Sequence, residues 1–66
     1  MDGMQKLRTL LIHWRKHNEA HTETYRKWSE KISAENKDLA EILARIHQES
    51  KKLDDLFEEA LRRIGS

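Results

Sequence analysis

Between Gly3 and Gly65 the chain contains neither glycine nor proline. Those two residues are the strongest local punctuators of backbone structure, and good helix formers dominate the interval, so the chain reads as all-α. Met4, Leu7, Leu11, Trp14, Asn18, His21, Tyr25, Trp28 and Ile32 recur at alternating steps of three and four, which lines one face of a first helix. Leu39, Leu43, Ile46, Ser50, Leu53, Phe57, Ala60 and Ile64 do the same in the second half. The stripes do not share one phase, because continuing the first past Ile32 would put Glu35 and Glu49 in the seam.

The break falls in "SAENKD", residues 33–38, the only interior cluster of cap and turn residues. Asn36 is able to take a left-handed conformation there, and Asp38 followed by Glu41 suggests a new helix start. Asp2 and Gln5 suggest a capping box at the start of the first helix, and Gly65 marks the end of the second. The reading is a two-helix antiparallel hairpin, one domain over residues 1–66, with helices near 4–33 and 38–64. Its rival is one long helix with a stutter, since no proline or glycine forces the turn.

Sixty-six residues make one small domain, and a single core of that size seldom yields more than roughly 3–5 kcal/mol. With no cysteine, neither a disulfide framework nor a thiolate metal site is available, so oligomerisation is the natural reinforcement. Ile12 lies off the first stripe and Leu56 at the edge of the second, and burial of both by a second subunit points to a homodimer forming a four-helix bundle. No apolar run approaches the roughly 18 residues of a membrane span, and "MDGMQKLRTLL" lacks the apolar region of a signal peptide. The protein is therefore expected to be soluble, unprocessed and cytoplasmic. Net charge is +1, divided as +3 over residues 1–34 and −2 over residues 35–66. That asymmetry suits two complementary helices and is too weak to argue for nucleic acid.

The segment "HWRKHNEAH" spaces His13, His17 and His21 four residues apart, in a chain with only one other histidine, His47. On a helix such a trio sweeps about 80°, with His21 on the apolar seam, His17 flanking it and His13 near solvent. Eight residues rise about 12 Å, against metal–imidazole bonds of about 2.0–2.1 Å, so only an adjacent pair can hold one ion. In a hairpin turning at Asn36, facing positions sum to about 70, which sets Glu49 and Ser50 opposite His21 and Asp54 near His17. A site built from His17, His21 and Glu49, completed by His47 or a symmetry mate with His13 adjoining, would suit Zn or Ni among other ions that take nitrogen and oxygen donors. Two other readings stand beside it. Asn18, His21 and Ser50 occupy seam positions at similar height, so they can form a polar layer that sets register, and the histidines can also be plain surface residues.

Trp14, Tyr25, Trp28 and Phe57 are expected as core anchors. The basic pairs at 15–16 and 26–27 are interrupted by Glu19, Glu23 and Glu30 and read as solvated shoulders. Glu41 with Arg45, Glu58 with Arg62 and Glu59 with Arg63 are spaced to support an exposed helical face. Catalysis has no motif behind it. Three residues before His13, His17, His21 and His47 stand Leu10, Trp14, Asn18 and Ala44, so the Glu-x-x-His spacing of ferritin-like di-metal bundles is missing.

Through His13-Trp14, His17-Asn18, His21, Tyr25 and Trp28 the first helix resembles small uncharacterised prokaryotic helical proteins with a similar signature. The likeness covers about sixteen residues and implies no activity, though it favours this segment as a functional site. The expectation is a small non-enzymatic binding module whose histidine face takes a divalent transition metal, the competing class being a structural or protein-interaction bundle.

Overall fold

The computed structural model describes residues 2–65 and consists of two helices, α1 (Asp2–Ile32) and α2 (Lys37–Gly65), joined by a tight turn. They fold back on each other as an antiparallel hairpin with Cα extents of 52 × 14 × 11 Å. The long-rod alternative is thereby excluded. Neither helix is long and apolar enough to cross a membrane.

The turn is closed by its own polar groups. The amides of Glu35 and Asn36 both donate to the Ile32 carbonyl, at 3.0 and 2.9 Å, and the Ser33 hydroxyl donates to the Glu30 carbonyl at 2.8 Å. These bonds occupy carbonyls that the end of α1 would otherwise leave open. Asn36 then starts α2: its side-chain oxygen accepts the Leu39 amide at 2.9 Å and its carbonyl accepts the Ala40 amide at 3.0 Å. The N-cap is thus Asn36 rather than Asp38, and Asn36 does not adopt the left-handed conformation, since no described residue has a positive φ. Gly65 closes α2 without that conformation either. The capping box expected at Asp2 rests on a side chain outside the described residues. Asn36→Ala should cost about 1 kcal/mol, the usual value of an N-cap, in a urea denaturation curve; an unchanged midpoint would show that the turn is held by its backbone bonds alone.

The seam between the helices differs from the expected one in a regular way. Let Leu11, Asn18, Tyr25 and Ile32 of α1, and Leu43, Ser50, Phe57 and Ile64 of α2, be position a of a heptad. All eight are buried or half-buried, as expected. The second contact row, however, is position e and not d. Arg15, Thr22 and Ser29 on α1, and Ala40, His47, Asp54 and Leu61 on α2, turn inward. At position d, Leu7, Trp14, His21, Trp28, Leu39, Ile46 and Leu53 are exposed.

Side-chain size accounts for the roll where Thr22, Ser29 and Ala40 line the seam. Packed helices approach to 8–10 Å, a gap that Thr22, Ser29 and Ala40 fit and that Trp14 or Trp28 would hold open. The Ser29 hydroxyl donates to the Ala40 carbonyl across the seam at 2.8 Å, the kind of contact that close approach permits.

Half-way along the hairpin the seam is polar. The Asn18 amide donates both to the Ser50 carbonyl at 3.0 Å and to Asp54 Oδ1 at 2.7 Å, and the Ser50 hydroxyl donates back to Asn18 Oδ1 at 3.2 Å. Thr22 donates to the Asn18 carbonyl at 2.7 Å and its hydroxyl touches that of Ser50. A polar layer is present as expected, with Thr22 in the place expected for His21. Only Leu11 and Ala40 are buried among the described hydrophobic residues. One hairpin therefore supplies very little dry core.

Candidate functional site

In an antiparallel pair the a-to-d-to-g turn of each helix runs toward the same side of the hairpin, so positions d and g of both helices form one common face. That face carries Leu7, Leu10, Trp14, Trp28, Leu39, Ile42, Ile46, Leu53 and Leu56, all between 38 and 61 % exposed. The opposite flank is charged: Arg15 reaches across to Glu58 at 3.5 Å, and Arg26 bonds Glu23 at 3.0 Å and Glu30 at 2.7 Å. Hydrogen bonding to Arg26 holds the Glu23 carboxyl below its ordinary range, and Glu23 in turn raises the guanidinium of Arg26. Lys16 and Lys27 are solvated as expected, whereas Arg15 departs from the expected shoulder and turns in along the edge of the seam. Ile12 lies off the apolar face, whereas Leu56 lies on it.

Trp14 and Trp28, expected as core anchors, sit on the open face at 43 and 51 % exposure, with Lys31 Nζ 4.9 Å above the Trp28 ring centroid. Of the expected ion pairs, Glu59 with Arg63 forms at 2.9 Å, and Glu58 also lies 3.5 Å from Arg15.

His17, at position g, and His21, at position d, project from α1 onto the edge of this face. Their Nε2 atoms are 3.0 Å apart and their rings are inclined by 78°. With metal–nitrogen bonds of about 2.0–2.1 Å, nitrogens at that separation subtend roughly 94° at a shared ion. The pair is thus shaped as a bidentate grip. In its absence one ring must donate a proton to the other.

The rest of the expected ligand set is not brought to this pair within one chain. His13 stacks on His17 with ring centroids 6.2 Å apart. Nδ1 of His47 donates to the Thr22 carbonyl at 3.0 Å, inside the seam, because His47 is at position e and faces α1. Glu49, at position g of α2, lies on the outer edge and pairs with Lys52 at 3.2 Å. Among the described residues no three histidine, aspartate or glutamate side chains converge on a metal-sized site. The reason is again the one-residue roll of the seam: with His21 turned outward, the histidine pair and Glu49 occupy opposite edges of the same hairpin.

Thr22 is the polar seam residue that the periodicity did not single out. Its signal is the pair of small residues seven apart, Thr22 and Ser29, facing Ala40 and Ser50.

Taken together these features define an all-α helical hairpin with one unpartnered apolar face. The chain belongs to the family described as "Domain of unknown function (DUF8180)", whose model matches residues 7–64. No curated protein and no solved structure matches it.

Proposed function

We propose that the protein is a non-enzymatic assembly module, acting in the cytoplasm, whose hairpin binds a second copy of itself through the d/g face to form a four-helix bundle. The observation that carries this reading is the distribution of apolar surface. Among the described residues, nine of eleven exposed large hydrophobic side chains lie at positions d and g, while two hydrophobic residues are buried. A contiguous apolar face of this kind marks an interaction surface.

A second copy fits it in size and charge. At 52 × 14 Å between Cα extremes, the face offers on the order of 700 Å² per chain before side chains are added, close to the ~800 Å² per partner of a standard stable interface. A net charge of +1 sets up little repulsion between copies, and the +3 half of one chain complements the −2 half of another. The polar layer around Asn18 and Ser50 supports the same reading from inside the hairpin: it fixes the register of α1 on α2, and so the shape of the face that is presented.

Sedimentation equilibrium tests the proposal. A species of about 16 kDa, twice the 7.9 kDa chain, is the expected result. A folded 7.9 kDa monomer at high micromolar concentration would overturn it.

A further inference from the structure

Polar residues are few on the d/g face, and two kinds of them sit at one level. His17 and His21 interrupt it on α1 between Trp14 and Trp28, and Glu49 interrupts it on α2 between Ile46 and Leu53. Seam partners such as Asn18 with Ser50, Thr22 with Ser50 and Ser29 with Ala40 fix the height of each residue along the hairpin. By that scale Glu49 lies level with His21, and His17 is one turn away. Within a chain these groups are on opposite edges and cannot meet.

Resting on the assembly reading, we infer that each edge of the dimer holds a divalent transition-metal site made by His17 and His21 of one copy and Glu49 of the other. Two copies can stack face to face about a two-fold axis that runs either along the helices or across them. An axis along the helices sets α1 against the partner's α2, and one across them sets α1 against the partner's α1. Charge selects the first, since α1 belongs to the +3 half and α2 to the −2 half. In that arrangement heights are preserved and each α1 edge meets an α2 edge. The histidine pair then faces a carboxylate at its own level.

The donor set is two imidazoles and one carboxylate, which suits Zn²⁺ with the remaining position left to water. The ion takes the place of the proton shared between the two Nε2 atoms, and Glu49 exchanges Lys52 for the metal. Each site is incomplete without the second copy, so the metal ties together chains that the apolar face has already paired.

Calorimetric titration of the purified chain with Zn²⁺, alongside sedimentation with and without chelator, tests this. One ion per chain is expected, with affinity falling more than about tenfold in each of His17→Ala, His21→Ala and Glu49→Gln. The decisive arm mixes the His17→Ala/His21→Ala chain with the Glu49→Gln chain. Each alone should lose binding, and an equal mixture should regain about a quarter of the wild-type capacity, because half of the dimers form at random as heterodimers with one intact edge. One ion per dimer with no effect of Glu49→Gln would overturn the inference in favour of four histidines from facing α1 helices. Absence of Zn²⁺ binding to a chelator-stable dimer would overturn it and leave the assembly reading intact. A monomer in chelator that stays monomeric with Zn²⁺ would sink both.

Discussion

Trp14→Glu combined with Leu53→Glu is expected to abolish self-association and with it most of the helical signal of the chain. Both residues are at position d on the open face, 43 % exposed in a single hairpin. In the proposed bundle each apolar side chain contributes roughly 1.5–3 kcal/mol on burial, and a carboxylate in its place is disfavoured by more than that unless it finds a partner. Four such carboxylates would enter each dimer. The isolated hairpin has little to fall back on, since among the described residues its buried hydrophobic side chains are Leu11 and Ala40. Helicity measured by circular dichroism at low micromolar concentration should therefore fall together with the dimer, which is the behaviour of a chain whose folding and assembly are coupled. Lys16→Glu, at position f and away from both the seam and the open face, is the control and should lie within about 0.5 kcal/mol of wild type. If the double variant stays fully helical and unfolds at the wild-type midpoint, the open face is not what stabilises the protein.

Asn18→Ala should cost about 2 kcal/mol, a large share of what a domain this small possesses. Asn18 is the hub of the polar layer: it donates to Asp54 and to the Ser50 carbonyl and accepts from the Ser50 hydroxyl. Removing it leaves a half-buried carboxylate facing a void, and a hydrogen bond to a charged group is worth more than one between neutral partners. Asp54→Leu added to Asn18→Leu should recover part of the loss, because an apolar pair removes both the donor and the acceptor of the Asn18–Asp54 bond, while the Ser50 hydroxyl keeps Thr22 as a partner. The double variant should nonetheless show looser helix pairing, with broadened spectra or altered association, since the layer fixes register as well as adding stability. A double-mutant cycle in urea reads the coupling directly. A cost for Asn18→Ala no greater than that of Lys16→Glu would show that the layer fills the seam and does little more.

How much of this was legible beforehand differs from residue to residue. The turn at residues 33–36 followed from two apolar stripes out of phase, and from a cluster of serine, asparagine and acidic residues with nothing comparable elsewhere inside the chain. Which of those residues capped α2 was not legible. Asp38 and Asn36 are both good caps, and the choice of Asn36 depended on which position let the turn amides reach the Ile32 carbonyl. That His17 and His21 adjoin at i,i+4 was legible, and their Nε2 atoms lie 3.0 Å apart. Their neighbours were not, because they depend on how far each helix is rolled about its own axis.

An uninterrupted run of helix formers, a phase break near Asn36 and polar residues at mid-height follow from amino-acid order alone. They make the chain all-α and point to a hairpin with a polar layer, while the structure decided that the chain turns back instead of running on as one rod. The tertiary structure alone also decided the roll. Position d and position e both flank a, and the apolar arc of each helix is wider than one partner can cover. Periodicity therefore could not say which half faces the sister helix. Close packing settled it, drawing the small residues Thr22, Ser29 and Ala40 inward and turning Trp14, His21 and Trp28 out onto the open face.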